Sequence, residues 1–205
     1  MALALFTMLS TPALAAPVRV VAFGDSLMAG LGLPRADGFA PRLEAALKAR
    51  GYDVTVINAG VSGDTSGAGL ARFDWSVPKD ADVVIVELGA NDMLRGLDPA
   101  IPRKNLTEIL TRLKARNQHV LLAGMRAAPN LGADYQRAFD SIYPDLAAQF
   151  GVPLYPFFLQ GVAGDRALNQ KDGIHPTAEG VDRIVAGILP AVEQVLRAAG
   201  AKSAQ

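Results

Sequence analysis

The chain has 205 residues, of which half are hydrophobic and a fifth are charged, as expected for one globular domain with a sizeable core. Its twenty basic side chains balance its twenty acidic ones, so net charge gives no reason to expect nucleic acid or an anionic membrane surface as a partner. The absence of cysteine and the presence of two histidines exclude disulfides, thiolate metal sites and cysteine nucleophiles, and argue against a His-rich metal site.

The first eighteen residues contain no charged side chain. This apolar segment includes Ala13-Leu14-Ala15-Ala16, which is typical of a secretory signal with a small-residue cleavage site, although the usual basic segment is missing. A buried helix or a membrane anchor are the alternatives, but the run is short for a membrane span and Pro12 interrupts it. The sequence therefore predicts a signal peptide over residues 1–16 and one domain over residues 17–205. The mature protein is expected to be secreted or periplasmic, with no stable membrane anchor.

Short β-branched runs alternate with helical patterns along the rest of the chain. Apolar residues recur at helical spacing around residues 39–47, 106–113, 135–146 and 181–196. We expect Pro144 to kink or restart the third helix and Pro190 to bend the last. Strands buried on both faces of a parallel sheet are predicted from continuous apolar runs, the fifth of them weaker because of Pro153, over residues 18–23, 54–57, 83–88, 120–123 and 152–155.

This alternation predicts a three-layer α/β sandwich with right-handed crossovers. Binding sites in such sheets form beyond the carboxyl ends of the strands. Ser26, Gly60 and Asn91 each lie at or just past the end of a predicted strand. We therefore expect these residues to lie at one edge of the sheet.

Gly24-Asp25-Ser26-Leu27 directly follows the first predicted strand. A serine at a strand-to-helix turn exposes its hydroxyl, which becomes a good nucleophile only when a base takes its proton. The alternative is that Asp25 or Ser26 merely caps a helix. The motif alone does not decide between them.

Asp172-Gly173-Ile174-His175 supplies a candidate base. The three-residue spacing lets one tight turn bring the carboxylate to Nδ1 of His175, which leaves Nε2 free to face Ser26. An ordinary structural histidine is the alternative interpretation. His119 opens a predicted strand after a polar run, and we assign it no catalytic role.

Attack on an acyl carbon creates an oxyanion that needs positioned donors. The backbone N–H groups of Ser26 and Gly60 and the side-chain amide of Asn91 are the candidates, since glycine lets the backbone approach a substrate closely. A turn glycine and a turn asparagine are the alternatives. Nearby, we expect Asp64 to cap the following helix, and Asp25 and Asp92 to anchor loop backbone rather than move protons.

Other catalytic motifs are absent from the sequence. There is no Gly-x-Ser-x-Gly elbow of an ordinary α/β-hydrolase, no phosphate-binding loop, no dinucleotide fingerprint and no His-Glu-x-x-His zinc motif. We expect a reaction that requires no metal or cofactor.

The set formed by Gly24-Asp25-Ser26-Leu27, Gly60, Gly89-Ala90-Asn91-Asp92 and Asp172-x-x-His175 resembles the SGNH (GDSL) hydrolases, from about Val18 to the last helix. The four letters correspond here to Ser26, Gly60, Asn91 and His175. Within the family, Asn58-Ala59-Gly60-Val61-Ser62-Gly63-Asp64-Thr65 and Ile142-Tyr143-Pro144 are similar to the bacterial periplasmic thioesterase I/lysophospholipase L1/arylesterase group. Ala90 departs from the family's usual glycine, a change that we expect to be tolerated.

The resemblance implies a flavodoxin-like three-layer α/β/α sandwich with a central parallel sheet of about five strands. It also implies a Ser26–His175–Asp172 triad, an oxyanion hole of Ser26, Gly60 and Asn91, and hydrolysis of acyl esters or thioesters. We expect small substrates with acyl chains of short to medium length, and a monomeric protein. Apolar loop residues are expected to line an adaptable acyl site, although any one of them may simply pack under a loop: Met28, Met93, Leu94, Leu97, Met125, Pro129, Leu131, Phe157 and Phe158.

Two rival functions stay open. One is an esterase of the same fold that acts on acetylated carbohydrate, for which the aromatic fraction of 6% offers few platforms. The other is a non-catalytic binding module, in which Ser26, Asn91 and His175 would not meet.

Overall fold

The computed structural model describes residues 16–203, so the predicted signal peptide lies almost entirely outside the described residues. Within this range five parallel strands form one sheet in the order β2-β1-β3-β4-β5. The strands are β1 (Val18–Gly24), β2 (Val54–Gly60), β3 (Val83–Glu87), β4 (His119–Ala123) and β5 (Leu154–Tyr155).

The five predicted strands are confirmed. The central strands β1, β3 and β4 bury nearly all their side chains, as continuous apolar runs in a covered parallel sheet should. The edge strand β2 alternates buried and exposed residues at its start. Strand β5 is reduced to two residues after Pro153.

Eight helices connect and cover the strands in the described range. The predicted break in the third helical pattern is confirmed, since one helix ends at Asp140 and the next begins at Ile142, with Pro144 in its first turn. The helices are α1 (Ser26–Ala29), α2 (Phe39–Ala49), α3 (Ser66–Ser76), α4 (Ala90–Leu94), α5 (Ala100–Ala115), α6 (Ala133–Asp140), α7 (Ile142–Phe150) and α8 (Ala178–Ala198).

The long helices form two layers, one on each side of the sheet. Helix α2 packs against α8, while α3 packs against α5 and α5 against α7. This pairing follows from right-handed crossovers, because the chain moves outward from β1 to β2 and then back across the sheet. Helix α8 buries a full apolar stripe and remains one helix through Pro190. No helix among residues 16–203 is both long and apolar enough to span a membrane.

Register brings three strand ends to the same level. Gly24 at the end of β1 is paired with Gly60 of β2 on one side and with Glu87 of β3 on the other. The segments that continue from β1 and β3 carry Ser26 and Asn91. The predicted convergence at one sheet edge is therefore confirmed.

Candidate active site

Ser26 begins the single-turn helix α1 immediately beyond β1. The cap of this helix is Asp25, whose Oδ1 accepts the N–H of Leu27 at 3.0 Å. Because Asp25 provides the cap, the Ser26 hydroxyl is left for another partner. That partner is His175, whose Nε2 lies 2.8 Å from Ser26 Oγ.

The loop before α8 presents His175 together with Asp172. Nδ1 of the imidazole lies 2.7 Å from Asp172 Oδ2, while Asp172 Oδ1 accepts the N–H groups of Ile174 and His175 at 2.9 and 3.0 Å. The hydrogen bond to the His175 ring, followed by the two backbone bonds, lowers the pKa of Asp172 to about 2. An ionised Asp172 accepts Nδ1–H, which makes Nε2 the nitrogen that accepts the Ser26 proton.

The two other candidate oxyanion donors lie at the same edge, and each already has an internal acceptor. The N–H of Gly60 donates to Oδ1 of Asn58 at 2.9 Å. Nδ2 of Asn91 donates to Asp25 Oδ2 at 3.0 Å and to the carbonyl of Asp64 at 2.9 Å. An oxyanion would therefore have to share or replace these acceptors.

Glycine at position 60 has a packing reason that the sequence argument did not give. A Cβ built there would lie 2.2 Å from the backbone nitrogen of Ala29. The backbone of α1 thus rests directly on the end of β2. Among the described residues, the contact that requires a glycine at position 60 is therefore the one with the backbone of α1. We had expected close approach of a substrate to be the reason.

Arg72 is a buried cation that sequence reasoning missed. Its guanidinium donates to the carbonyl oxygens of Gly24 and Ala59 at 2.8 and 2.9 Å and to Asp64 at 2.5 Å, and it stacks over Phe23. It therefore ties the ends of β1 and β2 to the loop that follows β2. The sequence does carry one signal for this role. Arg72 is a basic residue that precedes Phe73 and lies on the buried side of α3.

This contact corrects the role expected of Asp64. The cap of α3 is Thr65, whose side chain accepts the N–H of Ala68, whereas Asp64 pairs with Arg72. The role expected of Asp92 is confirmed, because its carboxylate accepts the N–H and the hydroxyl of Ser66 at 2.7 and 2.6 Å. Asp25 likewise holds loop backbone through Leu27.

An apolar hollow of about 370 Å³ opens beside the candidate catalytic loop, which carries Asp172 and His175. Five of the expected acyl-site residues lie in its wall: Met93, Leu94, Met125, Pro129 and Phe157. Leu159 and Ile174 also line it. A second hollow of about 540 Å³ between α3 and α5 has no candidate catalytic residue in its wall.

The other expected acyl-site residues lie elsewhere. Met28 is wrong as a substrate contact, because it is fully buried in the core under α1. Phe158 is also a core residue and packs edge-to-face on Phe39. Leu97 and Leu131 do not border the hollow. Whether a residue in these loops lines the hollow or packs elsewhere depends on the direction of its side chain relative to the sheet. Sequence position alone does not predict that direction.

Among residues 16–203 no group of three or more acidic or histidine side chains is arranged to hold a metal ion. Ala90, the departure from the usual glycine, is the first residue of α4 and follows Gly89, which takes the positive φ of 118°. A methyl group is therefore accommodated at position 90.

Comparison with known proteins identifies the family of the chain. Residues 22–183 match the GDSL-like Lipase/Acylhydrolase family. The chain is 39% identical to Esterase TesA of Pseudomonas aeruginosa, covering 89% of this chain and 91% of that protein. It is also 39% identical to Thioesterase 1/protease 1/lysophospholipase L1 of Escherichia coli K12, covering 85% and 83%.

A solved structure extends the likeness to three dimensions. AlinE4, described as an SGNH-hydrolase family esterase, superposes with a TM-score of 0.75 at 49% identity, covering 90% of this chain and 99% of that one. The predicted family resemblance is confirmed. The chain belongs to the GDSL-like lipase/acylhydrolase family, that of the SGNH hydrolases, and is a hydrolase of carboxylic esters.

Proposed function

We propose that the protein cleaves esters and thioesters of short to medium acyl chains through an acyl-enzyme formed on Ser26. The observation that carries this proposal is the continuous pair of contacts from Ser26 Oγ to His175 Nε2 at 2.8 Å and from Nδ1 to Asp172 at 2.7 Å. This is the geometry in which a serine hydroxyl becomes a nucleophile.

In the first half of the reaction Ser26 Oγ attacks the acyl carbon while His175 Nε2 takes the hydroxyl proton. The imidazolium is stabilised by Asp172, whose pKa of about 2 keeps it ionised at neutral pH. When the tetrahedral intermediate collapses, the bond to the leaving group breaks and His175 returns the proton to that alcohol or thiol. Water then repeats the sequence on the acyl-enzyme and regenerates Ser26.

Negative charge on the acyl oxygen needs donors in place before it forms. We assign this role to the N–H groups of Ser26 and Gly60 and to the Asn91 amide. Gly60 would exchange its bond to Asn58 for the oxyanion, and Asn91 would share one amide hydrogen with it. Gly60 ends β2 level with Gly24, and Asn91 lies in α4, just beyond the end of β3 that is also level with Gly24.

The apolar hollow supports the proposed substrate class. Its volume of about 370 Å³ lies near the lower end of the range of small-molecule sites. Met93 and Met125 give its wall flexible side chains that can adapt to acyl groups of different length. The mechanism uses only protein groups and water.

We also propose that the protein acts outside the cytoplasm as a monomer without a membrane anchor. Cleavage after Ala15 or Ala16 would leave every described strand and helix intact, because β1 begins at Val18. The mass of the protein purified from the periplasm or medium would test the cleavage site, and its sedimentation would test the oligomeric state.

The decisive test compares Ser26→Ala and His175→Ala with the matched controls Ser76→Ala and His119→Ala. We expect the first two to lose activity on p-nitrophenyl butyrate by at least about a thousandfold and the controls to keep it. A fluorophosphonate should label every variant that keeps both Ser26 and His175. Substantial turnover by Ser26→Ala would refute the acyl-enzyme.

A series of acyl esters and acyl-CoA thioesters of rising length measures the chain preference.

A further inference from the structure

Two buried carboxyl groups lie directly behind the candidate nucleophile. Asp25 and Glu87 are both fully inaccessible to solvent, and Glu87 Oε2 lies 3.4 Å from the backbone nitrogen of Asp25. Glu87 ends β3 opposite Gly24 of β1. A Cβ at position 24 would lie 2.7 Å from Glu87 Oε2, so the glycine makes room for this carboxyl. Glu87 takes no part in the proposed acyl-enzyme reaction.

The surroundings of the pair favour a neutral Glu87 beside an ionised Asp25 at neutral pH. Burial, and then the neighbouring charge of Asp25, raises the pKa of Glu87 well above its ordinary value. Burial also raises the pKa of Asp25, to about 6, against hydrogen bonds from Leu27, Asn91 and Glu87 that lower it. Two adjacent buried carboxylates cannot both stay ionised. The proton therefore resides on Glu87 and the charge on Asp25.

Oε2 of Glu87 faces Asp25, whereas Oε1 is buried with no hydrogen-bond partner. A buried carboxylate oxygen without a donor is costly, so this setting favours a neutral carboxyl, whose O–H can donate to Asp25. Asp25 then accepts three bonds, from Glu87, from the N–H of Leu27 and from Nδ2 of Asn91. Two of these bonds end on parts of the site, since Leu27 follows Ser26 and Asn91 is a candidate oxyanion donor.

We propose that Glu87 is a positioning residue that donates a hydrogen bond from its neutral carboxyl to Asp25, and thereby fixes the Ser26 turn and the Asn91 amide relative to each other. Glu87 touches no substrate and acts only through Asp25. This inference rests on the proposed function of Ser26 and Asn91. Its effect should fall on the transition state, because the oxyanion exists only past the ground state.

The test compares Glu87→Gln, which keeps a donor of the same shape, with Glu87→Leu, which removes it. We expect Glu87→Leu to lower kcat by about tenfold or more with KM within about twofold, and Glu87→Gln to stay within about threefold of the parent. The melting temperature of Glu87→Leu should also fall below that of Glu87→Gln, because the buried Asp25 carboxylate loses a donor, so the split between kcat and KM carries the test. A normal kcat in Glu87→Leu, or an equal loss in both variants, would overturn the proposal.

A second measurement works even if Glu87→Leu does not fold. The ionisable groups that face Glu87 are Asp25 and the Tyr143 hydroxyl, which donates to the carbonyl of Leu88. As rising pH ionises Glu87, the parent enzyme should lose kcat while Glu87→Gln keeps it. If kcat of the parent and kcat of Glu87→Gln fall in parallel as pH rises, the donor role of Glu87 is rejected. If Ser26→Ala removes activity but neither Glu87 experiment has an effect, this inference alone fails; activity in Ser26→Ala rejects the proposed function instead.

Discussion

Ser26 stands on a buried polar framework, whereas His175 stands on an exposed loop. On the first side, Arg72, Asp25 and Glu87 join the ends of β1, β2 and β3 through side chains that solvent does not reach. On the second side, Asp172 is 45% exposed and holds its loop through bonds to residues two and three positions further on.

The difference separates stability from activity. Removing a buried polar partner leaves an uncompensated group and costs folding free energy, while an exposed carboxylate can be changed without that cost. We therefore expect substitutions in the framework to lower stability and activity together. Substitutions in the catalytic loop should lower activity alone.

Among substitutions that keep both Ser26 and His175, the largest effect on activity is expected from Asp172→Asn. An asparagine can still accept the backbone N–H groups, but it no longer accepts Nδ1–H from an imidazolium, so His175 loses its correct tautomer. A loss of roughly a hundred- to ten-thousandfold in kcat is expected, by analogy with other serine hydrolases. The melting temperature should fall much less than in a framework variant, because solvent screens the exposed Asp172 carboxylate.

The matched control is Asp165→Asn. Asp165 makes the same kind of local bond, from the N–H of Ala167 to Oδ1 at 2.9 Å, but lies outside the catalytic contacts. It should keep full activity. A large drop in melting temperature for Asp172→Asn would contradict the division between loop and framework.

The largest effect on stability is expected from Arg72→Met. Methionine fills similar space, but the Asp64 carboxylate and the carbonyl oxygens of Gly24 and Ala59 lose their donor. Breaking such a buried pair costs roughly 3–5 kcal/mol of unfolding free energy, and kcat should fall because the strand ends shift. Urea unfolding and steady-state kinetics measure both effects.

Arg112→Met provides the comparison for this change. Arg112 pairs with Asp74 and Glu108 on the surface, where an ion pair is worth at most about 1 kcal/mol. Similar losses in the two variants would show that Arg72 contributes no more than an ordinary surface cation.

The pKa values of Asp25 and Asp172 are shifted in opposite directions, so the stability that each residue contributes changes with pH in the opposite sense. The pKa of Asp25 is raised to about 6 in the folded protein, whereas in the unfolded chain this carboxyl loses its proton near its ordinary pKa of about 4. Its stabilising contribution is present at pH below about 4 and is lost as pH rises to about 6, with a magnitude on the order of 2–3 kcal/mol. For Asp172, lowered to about 2, the contribution is instead lost only as pH falls through that value.

Urea unfolding of the parent and of Asp25→Asn between pH 4 and 7 tests this sign. The stability of the parent relative to the variant should fall as pH rises across this interval. If the stability of the parent relative to the variant stays constant or rises with pH, ionisation of Asp25 does not destabilise the folded protein.

The sequence predicted the elements that depend on local pattern. The apolar runs of β1, β3 and β4 and the stripe of α8 are long and regular, and each formed the expected element. The Asp172–His175 turn was also predictable, because three residues of spacing fix its geometry. The single turn of α1 is too short to produce a periodic signal.

The framework was not predicted, because its contacts depend on strand register and on distant partners. Glu87 lies inside the strand predicted over residues 83–88, where the apolar pattern gives its charge no role, and only its pairing level with Gly24 brings it to Asp25. Met28 is two residues from Ser26 but points into the core, which no loop pattern indicates. A charge inside a strand buried on both faces is a signal worth following in related sequences.

The smallest effect on activity and stability is expected from a substitution of Gln170, which connects the loop of His175 to the segment after α1. Nε2 of Gln170 donates to the carbonyl of Leu31, after α1, at 2.7 Å and to that of Pro176 at 2.9 Å, while the Gln170 N–H donates to the carbonyl of His175. Gln170→Ala removes both side-chain bonds, so the catalytic loop keeps its internal turn but loses its tie to the Ser26 side. We expect a loss of about 1 kcal/mol in stability and a several-fold loss in kcat/KM.

The exposed Gln160→Ala is the control for this variant and should change neither quantity. Because Asp172 and His175 keep their own contacts, Gln170→Ala should still be labelled by a fluorophosphonate, but more slowly than the parent. A labelling rate equal to that of the parent would mean that the two sides meet without this tie, and that the loop alone sets the distance between Ser26 and His175.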